Sequence, residues 1–217
     1  MRILKRMAAV GLLAAGLAGC TAMDNTSFET LGLAIGGLEP SISMADVNSV
    51  RGPALLVEFG QADALMVLGG LQGGYVRWTG ITEHLTTDHG RLVQSAGLPT
   101  DIIAPLLVDD PFITGLHRLA DGLEVSRQVD YPALYQTGLV QTARYQRGPL
   151  ESLEIMGQKR ELQRIDERVE ISVLGYRALN RYWVDPDNGM VYRSVQHVAP
   201  NLPPLRLTLL KPYGAQP

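Results

Sequence analysis

The chain has 217 residues, of which 46% are hydrophobic, 6% aromatic and 19% charged, with 19 basic against 22 acidic side chains and one cysteine. That length suits one domain of ordinary size, or at most two small ones, and the composition is far from that of a disordered chain. A net charge of −3 argues against a nucleic-acid partner, and one cysteine excludes both an intrachain disulfide framework and a thiolate metal cluster.

The first twenty residues read as an address. Arg2, Lys5 and Arg6 form a short positive start, and Met7 to Gly19 run uncharged and rich in Ala, Leu and Gly. The apolar run is too short to span a bilayer, which takes about twenty residues, and has the anatomy of a secretory signal peptide. Leu17-Ala18-Gly19-Cys20 resembles the lipobox of bacterial lipoproteins, in which the cysteine is acylated and becomes residue one after cleavage. The expected division is a signal peptide over 1–19, a lipidated tether over 20–26 and one domain over 27–217. Cleavage takes away three basic and no acidic groups, leaving 16 against 22, a net of −6 over 198 residues. So acidic a chain has little electrostatic attraction to anionic head groups, so the lipid on Cys20 carries the anchoring, at about 0.8 kcal/mol per buried methylene. Thr21 rather than Asp follows the cysteine, which by enterobacterial sorting rules implies transport to the outer membrane.

Beyond the tether, Thr26 and Glu29 form a capping-box pair, Phe28, Leu31, Ala34 and Ile35 fall at helical spacing, and Gly36-Gly37 ends the run, predicting a short N-terminal helix. From Ala54 the pattern changes to short apolar runs separated by glycine-containing turns: 54–59, 64–68, 75–78, 84–87 and 91–94. This spacing predicts hairpins. Thr100 to Asp121, with Pro105 and Pro111, predicts a small helical insertion near 101–120. Strands resume at 123–131, where Leu123, Val125, Arg127 and Val129 share one alternation, and at 138–146, where Leu139, Gln141, Ala143 and Tyr145 do. Another follows at 150–156. Residues 160–174 carry both periodicities, and the β-branched second half favours strand. Asn188-Gly189, a favoured type I′ pair between alternating flanks, predicts a hairpin, and 205–210 is the last strand. The expected fold is mainly β: a meander of hairpins curled into a half-barrel or barrel-like antiparallel sheet.

Catalytic signals are sparse. There is no Gly-x-Ser-x-Gly elbow, Walker loop or His-Glu-x-x-His. His84 and His89, five apart on strand and turn, read as solvated hairpin residues rather than metal ligands, and His117 with Asp121 at i+4 reads as a surface pair. Asp109 and Asp110 before Pro111 read as loop-capping residues. No catalytic residue, metal or cofactor is expected other than the covalent lipid. Four residues are candidates for contact with a glycan or a partner: Trp78, Trp183, Tyr192 and Arg193. Tyr182 and Trp183 are adjacent in a strand, so one faces in and the other out.

Several segments together resemble the YjbF/GfcB family of envelope lipoproteins associated with group 4 capsule and exopolysaccharide production. They are Asp88-His89-Gly90-Arg91-Leu92-Val93, Ala96-Gly97-Leu98-Pro99, Arg127-x-x-Asp130-Tyr131, Tyr182-Trp183-Val184-Asp185 through Gly189, Arg193-Ser194-x-Gln196, Pro200 and Lys211-Pro212. Tyr131 stands where family members often carry Trp. The resemblance covers roughly residues 27 to 212 and implies an outer-membrane lipoprotein facing the periplasm, with a mainly antiparallel β fold. It implies a role in secretion or assembly of a polysaccharide, with the glycan or export proteins as partners and no activity to assign to named residues. An alternative is a periplasmic carrier of a lipid or other apolar ligand, and a third reading is an envelope hydrolase. A carrier needs a concave face lined by apolar side chains, a binder needs a polar cleft or a flat aromatic patch, and a hydrolase needs converging titratable groups.

Overall fold

The computed structural model describes residues 42–214, so the lipobox with Cys20, the tether and the helix expected over 26–37 lie outside the described residues. The described chain opens with a helix the sequence reading did not anticipate, α1 (Met44–Ser49). Ser43 and Asp46 close a reciprocal capping box at its start, satisfying N–H groups that a helix leaves unpaired. Lys211 Nζ donates to the carbonyls of Val47 and Val50, both at 2.7 Å, where a cation complements the negative end of the helix.

Eleven strands follow: β1 (Ala54–Phe59), β2 (Ala62–Gln72), β3 (Tyr75–Thr79), β4 (His84–Asp88), β5 (Arg91–Ala96), β6 (Glu124–Tyr131), β7 (Gln136–Ile155), β8 (Gln158–Ile171), β9 (Tyr176–Val184), β10 (Val191–Gln196) and β11 (Leu205–Lys211). They form one antiparallel sheet in the order β5-β4-β3-β2-β1-β11-β10-β9-β8-β7-β6. Two meanders, β1–β5 and β6–β11, are thus joined along β1 and β11. The sheet curls so far that its two edges nearly meet. Ile103, in the connection between the meanders, bridges Gln94 of β5 on one side and Asp130 of β6 on the other. The backbone bonds of this seam are Ser95 N to Ile102 O (3.1 Å), Ala104 N to Val93 O (2.7 Å), and the reciprocal pair between Ile103 and Asp130 (3.0 and 2.8 Å).

The expected curled meander is therefore the fold, with differences of detail. The runs expected at 138–146 and 150–156 belong to one strand, β7, interrupted by a register shift between Arg147 and Leu150. Gly148-Pro149 lies in that gap, and proline, lacking an N–H, is tolerated where the ladder is already broken. Residues 160–174 resolve as strand β8 and a 3-10 turn, so tertiary pairing with β7 and β9 overrode the helical spacing. The hairpin at Asn188-Gly189 forms, but as a wider connection: Asp185 accepts from the backbone N–H groups of Asp187 and Asn188, and of the Asn-Gly pair only Gly189 has positive φ. The insertion contributes one turn of helix, α2 (Pro111–Thr114), and a 3-10 turn at Leu116–Arg118.

Inward side chains fill the curl. One cluster gathers Val57, Met66, Trp78, Leu85, Tyr131, Ile171, Leu205 and Leu207. A second gathers Phe112, Leu116 and Leu119 from the insertion with Tyr145, Ile165, Val169, Tyr182 and Val184. The insertion is thereby packed onto the β7–β9 side of the sheet.

Candidate functional site

The most concentrated polar chemistry of the described residues lies inside the sheet, around Glu167. Glu167 stands on β8 between Ile165 and Val169, at an inward position of an otherwise apolar alternation. Strand register supplies its neighbours. Tyr145 of β7 and Asn180 of β9 are its direct cross-strand partners, and Gln141 of β7 pairs with Arg127 of β6. Arg91, at the start of β5, reaches in from the far meander.

Every oxygen of the Glu167 carboxylate is occupied. Arg91 Nη1 donates to both at 2.6 Å, Arg127 Nη1 to Oε1 at 2.8 Å, and Tyr145 Oη to Oε1 at 2.8 Å. Asn180 Nδ2 and Tyr182 Oη donate to Oε2, each at 2.9 Å. Arg127 in turn donates through Nε to Asp110 Oδ2 at 2.7 Å and through Nη2 to Tyr145 Oη. Arg91 Nη2 donates to Gln141 Oε1 at 2.9 Å. Two arginines and two carboxylates make the cluster neutral, as a buried charge requires. Burial alone would raise the Glu167 carboxyl, but the guanidiniums of Arg91 and Arg127 outweigh it and hold the group well below the usual carboxylate range. Burial, reinforced by the charge of Glu167, pushes the Tyr145 and Tyr182 hydroxyls well above their ordinary value, so both remain donors.

Asp110 does two jobs. Its Oδ1 accepts from Phe112 N at 3.1 Å as N-cap of α2, the capping role expected from sequence, while the same carboxylate binds Arg127. Phe112 is thereby set against the cluster, with its ring 4.8 Å from that of Tyr182 and 5.6 Å below the Arg91 guanidinium. The result is a sealed lattice: its charged side chains are at most 5% exposed. Such a lattice fixes which residues meet, and it offers no open face to a substrate.

The residues expected to touch a ligand are divided by the fold. Trp78 is 1% exposed, donates through Nε1 to Thr87 Oγ1 at 3.1 Å and meets the ring of Tyr213 edge-on at 5.8 Å. Tyr192 is 7% exposed and covered by the Arg160 guanidinium, 4.3 Å from its centroid. Both rings serve the core. Their strands alternate, and both fell on the inward phase. Trp183 and Arg193 are half-buried cross-strand partners on the opposite face, and of the adjacent pair expected to split between the faces it is Tyr182 that points inward. Trp183 Nε1 donates to Glu151 Oε2 at 2.7 Å and Arg193 Nε to Thr208 Oγ1 at 3.2 Å.

His84 is exposed on β4, and His89 sits in the β4–β5 turn with Nδ1 at 2.7 Å from Asp88. The pairing expected of His117 with Asp121 is replaced: the His117 ring lies against Gly115 and Gly189, while Asp121 Oδ1 accepts from Arg147 N at 2.6 Å. Burial, with help from Arg118, lowers the His117 imidazole below its ordinary value. No group of three or more metal-ligating side chains occurs among the described residues, nor any helix long and apolar enough to cross a membrane.

The profile of the family described as "Group 4 capsule polysaccharide lipoprotein gfcB, YjbF" matches residues 28–210. The chain belongs to that family. Among solved structures, the hypothetical lipoprotein YmcC from Escherichia coli K12 superposes with a TM-score of 0.68 at 19% identity, covering 81% of this chain and all of the other, so the two share a fold. A lipoprotein from Parabacteroides distasonis aligns over 75% of this chain and 95% of its own, at 8% identity and a TM-score of only 0.34. No curated protein matches. The fold gathers several of the residues shared with the YjbF/GfcB pattern. Arg91, Arg127, Tyr182 and Gln196 come from four separate segments and converge: Tyr182 Oη and Arg91 meet at Glu167, and Gln196 Oε1 accepts from Leu92 N at 2.9 Å beside them. Glu167 and Asp110, which complete the lattice, lay outside those segments. Their signal was a charged residue at an inward strand position and an aspartate before a helix-starting proline.

Proposed function

We propose that this protein is an accessory lipoprotein of capsule or exopolysaccharide export and assembly, held at the periplasmic face of the outer membrane by an acylated Cys20 and acting by binding rather than catalysis. The observation that carries the reading is membership of the group 4 capsule lipoprotein family over residues 28–210. The interior supports binding at the outer surface. Beside Leu55, Trp78, Leu207 and Tyr213 the hollow measures about 20 Å³, room for about one water, whereas a site for an apolar cargo takes about 300 Å³ or more. An apolar cargo held inside the curl beside these residues is disfavoured for that reason. A hydrolase is disfavoured because the buried titratable groups neutralise one another.

Deletion of the gene tests the reading. Surface polysaccharide should fall while its cytoplasmic precursors accumulate or stay unchanged, and wild-type but not Cys20→Ala chain should restore it. Undiminished surface polysaccharide in the deletion strain would reject the function.

A further inference from the structure

The outer face of β3–β5 carries two open hollows that adjoin, of about 890 and 270 Å³. They share Arg77, Thr86 and Gln94, which are register partners across three strands and so form one polar row. We propose that this trough binds an extended acidic polysaccharide chain, a proposal that rests on the function above and names its site and polymer class.

Three features point to that occupant. Tyr75, two residues before Arg77 on β3, is 45% exposed, and a phenol ring offers a negative face to the polarised C–H groups of a sugar. Arg77 is exposed and its side chain makes no hydrogen bond or ion pair among the described residues, so its fork of donors is free for a carboxylate. The acid lining the trough, Asp88, is already committed: its side chain is 4% exposed and bound by His89. His89 is itself locked, since a Cβ on Gly74 would come within 2.0 Å of its ring. What remains uncommitted is a cation beside an aromatic, with Leu71, Val108 and Ile113 as an apolar bank.

Charge separates this trough from the other outer surfaces. The hollow of about 680 Å³ over β6–β9 contains Arg144 and Arg177, bound to Glu124 at 2.8 Å and to Glu170 at 3.1 Å, and Arg168, which donates to Gln146 at 3.1 Å. The Trp183 indole donor is likewise spent on Glu151, and Arg193 is held through Nε by Thr208.

The test uses the full chain purified in detergent from the producing cells, and surface polysaccharide from the same bacterium in native and carboxyl-reduced forms. Affinities are measured for wild type, Tyr75→Ala, Arg77→Ala and, as control, Arg177→Ala, with melting temperatures to verify folding. Tyr75→Ala and Arg77→Ala should each weaken native polymer about tenfold, the scale of losing one central contact. Arg177→Ala should bind as wild type. Carboxyl reduction should weaken wild type by a similar factor and Arg77→Ala no further. Absent binding to wild type, equal binding by all variants, or indifference to carboxyl reduction would overturn the proposal. So would trough variants that lose surface polysaccharide in cells while binding polymer normally, which would assign the trough to a protein partner. A deletion strain with less surface polysaccharide alongside any of these results rejects the site and leaves the function standing.

Discussion

Glu167→Gln isolates the charge of the central carboxylate at nearly constant volume. Oε1 accepts from Arg91, Arg127 and Tyr145, and Oε2 from Arg91, Asn180 and Tyr182. Whichever way the amide is turned, its NH2 faces three donors, and the two arginines keep only Asp110 as counter-charge. Removing one partner of a buried ion pair costs about 3–5 kcal/mol, a large share of the roughly 5–15 kcal/mol by which a domain is stable. At about 2–4 °C per kcal/mol for a domain of this size, the melting temperature at pH 7 should drop by about 6–20 °C. The pH dependence supplies a second readout. A carboxyl held below its unfolded value stabilises the fold above that value, 4.5, and the stabilisation is lost as pH falls through the depressed folded value. The gap between wild type and Glu167→Gln should therefore be full at pH 7 and shrink once the pH drops below about 4.5, in thermal melts followed by circular dichroism. A shift of less than about 3 °C at pH 7, or a gap that acid does not narrow, would refute the claim that this charge is buried and paired.

Tyr131 Oη donates to Val198 O at 3.1 Å, and burial pushes its hydroxyl up to about 12. The associated stability is whole below pH 10 and fades as pH rises toward 12, so Tyr131→Phe should cost about 1 kcal/mol in urea melts at pH 7 and less near pH 12. Gly90 has φ +88, and a Cβ there would fall 2.5 Å from Val191 Cβ. Gly90→Ala should cost about 2 kcal/mol or more, and Val191→Ala in the same chain should recover part of it, as read by denaturation midpoints. Labelled palmitate should enter the wild-type chain and be missing from Cys20→Ala; label retained by the variant would remove the lipid anchor from the proposal.

Alternation made most of the sheet legible before any coordinates. Strand β1 spans the same residues in sequence and structure, and the hairpins around Gly60, Gly73 and Gly90 fall where the glycines placed them. Alternation also put Arg127 in phase with Val125 and Val129, and Gln141 and Tyr145 in phase with Ala143, which is the imprint of a polar lattice in a core. Its completion could not be read, because Arg91 and Glu167 lie in different meanders and only the curl brings them together. Trp78 and Tyr192 proved to be core residues for a related reason: periodicity states that Trp78 and Arg77 face opposite ways, but not which way is out. Ile103 gave no strand signal at all, being a single residue whose pairing is imposed by the two edges around it.

The pairing of β1 with β11 sets an order of events for folding. Each meander can form from neighbouring hairpins, yet Phe59 finds its partner in Leu205 and Leu55 in Leu209, near the end of the chain. Closing so long a loop is slow, and until it closes both β1 and the growing second meander present open strand edges to other chains. The last strand thus acts as a latch, and a chain shortened before residue 205 should behave as two sticky fragments rather than as a slightly smaller version of the same protein.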